Sequence, residues 1–335
     1  MKTNIYFLLK LNRKVKSVRL KVLGIFLLHI LKKRYLGIFF DPVLGCNFRC
    51  RMCYFSDEEK RKKMKGIFKE EDIYKIADAF FHRALKLQIG CGAEPSLFKH
   101  NRKIIELAKK KKVPYISLTT NGNLFTEEDW QGFAESGLDE VTLSTHGTTK
   151  ESYEYFMTNG SFDLFIQALE TLSNIKSQYP HLKIRLNYTV NRDNLKELSN
   201  LFDVYGKYKM DIVQLRPIRD LGNTAYSCHS WTEIYSEYDL IIQKVKEECV
   251  KRGLTCIAPA KEDLLKQETG AGAVLESTFC YISPRSIWEN DFDLQKDNFE
   301  SYSKRTHYAK KLFKNIFFSK RSLQENKSQL NYEVL

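Results

Sequence analysis

From residue 35 to residue 217 the chain repeats one pattern, a short run rich in β-branched and aromatic residues followed by a stretch of helical period. The short runs are YLGIFF (35–40), LQIG (87–90), YISLTT (115–120), EVTLST (140–145), KIRLNYTV (183–190) and IVQLRP (212–217). Between and after them lie EEDIYKIADAFFHRAL (70–85), NRKIIELAKKK (101–111), TEEDWQGFAESG (126–137), FDLFIQALETLSNIK (162–176), DNLKELSNLFDVYG (193–206) and WTEIYSEYDLIIQKVKEECVKRG (231–253). Thr126 and Asp129 make a capping-box pair at the start of one helix, and Gly137 stops it. Strands separated by helices cannot pair through tight turns, so they lie parallel, joined by right-handed crossovers. The pattern predicts an α/β fold built on a parallel sheet.

Ligand-binding residues in such sheets collect beyond the carboxyl ends of the strands. Polar, glycine-containing groups follow the apolar runs there, as GCNFRC, GCGAEP, TTNGN, STHG, NYTVNRDN and LRPIRDLGN. Their recurrence predicts one site at one edge of the sheet. His146, just past the fourth strand in STHG, is placed to hydrogen-bond to a ligand there.

Eight cysteines in 335 residues are too few for a disulfide scaffold. Three of them, Cys46, Cys50 and Cys53 in CNFRCRMCY, are clustered, which points to metal or iron–sulfur binding in a reducing compartment, the cytoplasm. A zinc site would need a remote fourth ligand, and no Cys or His pair lies nearby to supply one. Three soft thiolates suit an iron–sulfur cube, with its fourth iron left without a cysteine from this loop. Phe48 and Met52 would shield such a cluster or simply pack.

CNFRCRMCY resembles the Cys-x3-Cys-x2-Cys-aromatic motif of the radical S-adenosylmethionine (radical SAM) superfamily, and the likeness extends over about residues 35–217. It implies a partial (β/α)6 TIM-like barrel with a short C-terminal extension. It also implies an enzyme with two cofactors, a [4Fe–4S] cluster on Cys46, Cys50 and Cys53 and S-adenosylmethionine on the fourth iron. Tyr54 matches the aromatic residue whose backbone meets the adenine. Gly92, Ala93, Glu94 and Pro95 resemble the GGEP motif that receives the methionyl amine. Ala93 replaces a glycine there, which keeps the same backbone path only at negative φ. Ser144 matches a fourth-strand residue near the ribose, Asn187 a fifth-strand asparagine, and Arg216 a sixth-strand polar contact. Asn121 belongs to the cofactor-binding set, although Asn121–Gly122 is also a common turn pair.

The family chemistry is reductive cleavage to a 5′-deoxyadenosyl radical that abstracts a substrate hydrogen. It implies an external one-electron reductant such as flavodoxin or ferredoxin. The substrate expected is a small molecule, a sugar conjugate or a peptide. A net charge of +13, from 54 Lys and Arg against 41 Asp and Glu, favours an anionic one. RNA modification is an alternative that rests on the basic balance alone, since no RNA-binding module is visible. An electron-transfer or assembly iron–sulfur protein is the alternative of another class.

Four segments are expected, a basic amphipathic stretch over 1–34, the core barrel over 35–217, an extension over 218–300 and a basic helix and tail over 301–335. The first contains VLGIFLLHI (22–30), too short for a transmembrane span of roughly 20 apolar residues. It packs over one end of the core or lies on a membrane surface, making peripheral membrane contact. FCYISPRSIWENDFDL (279–294) looks like the first cysteine strand of the auxiliary-cluster extensions called SPASM and Twitch. With Asn290–Asp291 taking the turn and no cysteine after Cys280, the extension reads as degenerate and metal-free. Cys249 falls on the buried stripe of its helix, Cys91 reads as a small buried filler, and Cys228 lies toward the site mouth. The tail begins as a basic amphipathic helix carrying Phe313, Ile316, Phe317 and Phe318.

Overall fold

The computed structural model describes residues 14–15, 17–218, 221–227, 234–259, 261–264 and 272–318. Among them, one sheet contains β1 (Leu36–Phe40), β2 (Ala84–Ile89), β3 (Tyr115–Thr120), β4 (Glu140–Thr145), β5 (Lys183–Val190), β6 (Ile212–Pro217), β7 (Thr255–Ile257), β8 (Phe279–Ser283) and β9 (Ser286–Ile287). Their order is β7-β6-β5-β4-β3-β2-β1-β8-β9. Neighbours from β7 to β8 are parallel, and only β8 and β9 are antiparallel. The sheet does not close on itself, so the fold is an open, partial barrel.

Strand alternation separates two interiors. On β5, Ile184, Leu186, Tyr188 and Val190 are buried in the main core. The intervening Arg185, Asn187 and Thr189 line a cavity on the other face. The helix Phe162–Gln178 supplies Phe165, Leu169 and Leu172 to the same core, and Ser161 caps its start by accepting from the Leu164 amide at 3.3 Å. Each aliphatic or aromatic side chain so buried contributes about 1.5–3 kcal/mol. The helix Glu127–Glu135 begins with the expected reciprocal pair, Thr126 and Asp129.

The two ends of the described chain share one layer. Arg83, almost fully buried at the start of β2, donates to Glu300 at 2.7 Å, to the Lys33 carbonyl at 2.8 Å and to the His29 carbonyl at 3.0 Å. It therefore ties the helix Val18–Ile30 to the helix Phe299–Arg305. No helix among the described residues is long and apolar enough to cross a membrane.

The structure corrects several expectations. The six strands expected over 35–217 are present as β1–β6, and β7, β8 and β9 follow them among the described residues. β7 spans only three residues, too short to register as a periodic run. FCYIS joins the barrel sheet beside β1, with Ile38 opposite Cys280, instead of standing apart in an extension. Its hairpin turns at Pro284–Arg285, with Ile282 opposite Ile287, and not at Asn290–Asp291. Proline presets the backbone for that tight turn. β2 begins at Ala84 rather than Leu87, because Lys86 and Gln88 face the cavity and mask the strand. The stretch 193–206 is a 3-10 turn, Leu195–Asn200, followed by a short helix, Leu201–Tyr205. Asn191 and Asn194 precede it in a turn where each side chain accepts from the other's backbone amide. Finally, the helix Val18–Ile30 is apolar on both faces rather than amphipathic.

Candidate active site

A cavity of about 960 Å³ opens at the carboxyl ends of the strands. All twelve residues proposed from the sequence line it: Cys46, Cys50, Cys53, Tyr54, Gly92, Ala93, Glu94, Asn121, Ser144, His146, Asn187 and Arg216.

The cysteine loop follows β1 and is fixed by its backbone. The Arg49 amide donates to the Thr158 carbonyl at 2.8 Å, and the Arg51 amide to the Phe156 carbonyl at 2.9 Å. Phe48 lies in the main core against Gly160, where a Cβ would come within 2.8 Å of its ring. Met52 packs with Phe156, Ile218 and Tyr226. Both residues pack, and both also line the cavity beside the cysteines. The three thiols are free and half-buried. Burial, then the Glu94 carboxylate, pushes Cys46 up to about 12, and burial pushes Cys53 up to about 11. Burial also raises Cys50 well above the ordinary thiol range. Without a metal all three stay protonated, and ligation would expel their protons.

The loop after β2 forms the opposite wall. Gly90, at φ +72°, admits no side chain, because a Cβ would sit 2.3 Å from the Thr119 carbonyl oxygen. Ala93 holds the negative φ that its Cβ requires. Buried Glu94 accepts from the Thr120 hydroxyl at 2.6 Å and the Asn121 amide at 2.9 Å. The Ser96 hydroxyl and amide donate to it at 2.8 and 3.1 Å. Three of these bonds fall on Oε1 and one on Oε2, so Oε2 retains acceptor capacity. Burial raises its pKa against the lowering effect of these donors.

Cross-links hold the two loops together. The Tyr54 hydroxyl donates to the Gly92 carbonyl, and Asn121 Nδ2 donates to Asn47 Oδ1 at 2.8 Å. The Glu94 amide donates to the Gly45 carbonyl at 2.8 Å.

Asp41 was not singled out from the sequence, yet it organises this wall. Fully buried just after β1, it accepts from the Cys91 amide at 2.8 Å, the Gly92 amide at 3.0 Å and the Tyr281 hydroxyl at 2.8 Å. A carboxylate followed by Pro42 at the end of an apolar strand was the available signal. Deeper in the barrel, the Arg185 and Glu140 side chains pair at 2.8 Å, and Arg185 also donates to Gln214 at 2.8 Å. Lys86 donates to Gln88 at 3.1 Å, and burial brings its pKa down to about 8. These polar residues recur at every second strand position, a period visible in the sequence.

Asn187 Oδ1 and His146 Nδ1 are buried on the cavity wall with no hydrogen-bond partner among the described residues. Burying such atoms without a partner costs about 1–3 kcal/mol each, so they mark where a polar ligand fits. Burial and the Arg216 charge bring His146 down to about 3, which keeps it neutral. The unfolded chain therefore binds a proton between pH 3 and about 6.5 that the folded chain refuses. Stability present above pH 6.5 is lost as pH falls through that window, on the order of 2 kcal/mol by pH 5. Chemical unfolding at pH 7 and pH 5 should show this loss reduced in His146→Gln; equal losses in both proteins would contradict it.

The donor set decides what group the cysteines suit. Among the described residues, no three His, Cys, Asp or Glu side chains converge on a single ion. Three separate thiols beside polar atoms lacking partners fit a cluster with one thiolate per iron and a polar ligand next to it. Among the described residues, Cys249, Cys256 and Cys280 do not come together as one group. Cys249 and Cys256 share a thiol hydrogen bond that raises the first and lowers the second, and Cys280 is buried in the core on β8. Cys228 and His229 lie outside the described residues.

Comparison with known proteins agrees with this geometry. Residues 41–202 match the family model described as the radical SAM superfamily. A probable GTP 3',8-cyclase of Saccharolobus islandicus is 27% identical over 199 residues, covering 58% of this chain and 61% of the relative. The corresponding protein of Sulfurisphaera tokodaii is 26% identical over 191 residues, or 56% of this chain and 58% of the relative. The chain thus spans about three fifths of the length of the curated relatives it matches. Among solved structures, Streptococcus suis SuiB bound to S-adenosylmethionine superposes with a TM-score of 0.63 at 14% identity, covering 80% of this chain and 65% of that one. anSMEcpe with bound AdoMet and the Cp18Cys peptide gives a TM-score of 0.59 at 17% identity, covering 83% of both chains. Over residues 41–202, just under half of its length, the chain is similar to the radical SAM superfamily. Enzymes of that superfamily use a [4Fe–4S] cluster and S-adenosylmethionine.

Proposed function

We propose that the chain abstracts a hydrogen atom from an anionic small molecule, sugar conjugate or peptide held in the mouth of this cavity. When bound, the cluster and S-adenosylmethionine supply one-electron cleavage to methionine and a 5′-deoxyadenosyl radical, with the electron delivered by flavodoxin or ferredoxin. Cys46, Cys50 and Cys53 hold three irons. Glu94 receives the methionyl ammonium on Oε2, and Tyr54 fixes the Gly92–Ala93 backbone that runs beside it. Asn187 Oδ1 accepts a ribose hydroxyl, and neutral His146 accepts or donates a second polar contact. Ser144, Asn121 and Arg216 complete the polar wall.

The observation that carries this reading is the placement of three free thiols and Glu94 around one cavity, with buried polar atoms awaiting a partner. The cationic lining supports an anionic substrate. Lys60, Lys86, Arg185, Arg216 and Arg285 line the cavity, against Glu94 and Glu140 as its acidic residues. The relatives named as GTP 3',8-cyclases and the peptide-bound neighbour each favour an anionic or peptide substrate by similarity alone.

Reduced, anaerobic protein should convert S-adenosylmethionine to 5′-deoxyadenosine and methionine, measured by chromatography. Glu94→Gln should weaken S-adenosylmethionine binding by about one to two decades while iron content holds. Unchanged affinity would remove Glu94 from the ammonium site. Absence of 5′-deoxyadenosine in protein with a full complement of iron would overturn the proposed activity.

A further inference from the structure

We infer that the helices Val18–Ile30 and Tyr308–Phe318 form a surface that docks on an anionic lipid bilayer. The first helix spends one face on the protein. Val22 is fully buried with Ala273 and Ile316, and His29 packs edge-on to Tyr35 and Phe299. Its other face is also apolar and lies open to water. Leu20, Leu23, Leu27 and Leu31 follow each other at spacings that make one stripe, with Leu20 60%, Leu27 50% and Leu31 63% exposed. Helices apolar all round are ordinarily buried, and contiguous exposed apolar surface marks an interaction site.

The second helix extends that surface. Phe313 and Phe317 are 49% and 56% exposed, and their rings lie 5.3 Å apart. Phe26 meets Phe313 at 5.6 Å, so the aromatic pair adjoins the leucine stripe.

Charge selects the occupant. Residues 1–40 contain ten Lys and Arg and no Asp or Glu. Residues 301–324 contain seven Lys and Arg and again no acid. Arg19, Lys32, Lys33, Lys310 and Lys314 are exposed around the apolar stripe. Cations spread around an aliphatic and aromatic face match a headgroup layer above acyl chains, where long basic side chains reach the phosphates while the apolar face enters the interface. Each such cation near an anionic surface adds to binding, and salt screens that addition.

The geometry also leaves the active site free. Arg34 donates to the Phe81 and Ala84 carbonyls, and Arg83 grips Lys33 and His29. Those contacts fix the carboxyl end of the first helix at the amino ends of β1 and β2, the rim opposite the cavity mouth. A docked protein would keep its mouth open to soluble substrates and reductant.

The test is co-sedimentation of the full chain with sucrose-loaded phosphatidylcholine vesicles, with and without about one third phosphatidylserine. The wild type should pellet with the anionic vesicles, weakly or not at all with the neutral ones, and be released as salt rises. Leu20→Gln/Leu27→Gln and Phe313→Ser/Phe317→Ser should each reduce partitioning about tenfold. All four positions are exposed, so thermal unfolding and 5′-deoxyadenosine formation should stay at wild-type levels. The proposal is overturned if the wild type remains in the supernatant, if both variants pellet as well as it does, or if neutral vesicles bind equally. Concentration-dependent dimerisation that the same substitutions abolish, without vesicle binding, would assign the surface to a second copy of the chain instead.

Discussion

Anaerobic reconstitution of the wild-type chain with iron and sulfide is expected to load about four irons, and Cys46→Ala, Cys50→Ala or Cys53→Ala should each abolish the loading. The effect should be complete rather than graded. The three thiols sit on one short loop, and each would supply the protein ligand of a different iron. The triple variant should hold no cluster at all. Cys249 shares a thiol hydrogen bond with Cys256 on β7, while Cys280 is buried on β8, on the far side of β1 in the sheet order. About four irons persisting in the triple variant would make the later cysteines ligands and bring back an auxiliary cluster. Stoichiometric zinc without iron would sink the assignment of the loop.

Asp41→Ala is expected to be the most damaging substitution outside the cysteines. It leaves the Cys91 and Gly92 amides and the Tyr281 hydroxyl without their shared acceptor in a fully buried position. Leaving buried donors unpaired costs about 1–3 kcal/mol each, and the sum is limited by relaxation, so a loss of roughly 3–4 kcal/mol is expected. Cofactor affinity should fall with it, because Gly92 begins the turn that aims Glu94. Tyr281→Phe removes one donor and keeps the carboxylate on the two amides, so it should cost about 1 kcal/mol and leave affinity nearly unchanged. A stable Asp41→Ala protein with wild-type affinity would show that the turn holds itself.

What the sequence could disclose was set by distance along the chain. Cys46, Cys50 and Cys53 lie within one loop, so their chemistry is local and readable. Glu94, Asn121 and His146 each follow an apolar run, and a parallel sheet brings all such ends to one rim, whereas Asn187 lies within β5 and was legible through the family resemblance. Asp41 acts on residues 50 and 240 positions away, and nothing beside it announces those partners. β8 was misassigned for a related reason. Four apolar residues and a serine after a poorly periodic stretch can belong to an appendage or a barrel, and only pairing with β1 decides. The polar lumen was present as alternation, Arg185-x-Asn187-x-Thr189 on β5 and Gln214-x-Arg216 on β6, but strands with one polar face are more often read as facing solvent.

The seating of β8 beside β1 sets an order of events during synthesis. β1 emerges from the ribosome first, and β2 soon covers one of its edges. Its other edge must wait for a strand whose Tyr281 lies 240 residues beyond Asp41. At roughly 5–20 residues per second, that wait is on the order of ten to fifty seconds. Throughout it, the nascent chain shows an unpaired strand edge next to an apolar helix whose own covering helices have not been made. Those are the features that recruit chaperones or promote aggregation. Yield in a cell should therefore respond to translation speed and chaperone supply more than the stability of the finished barrel would suggest.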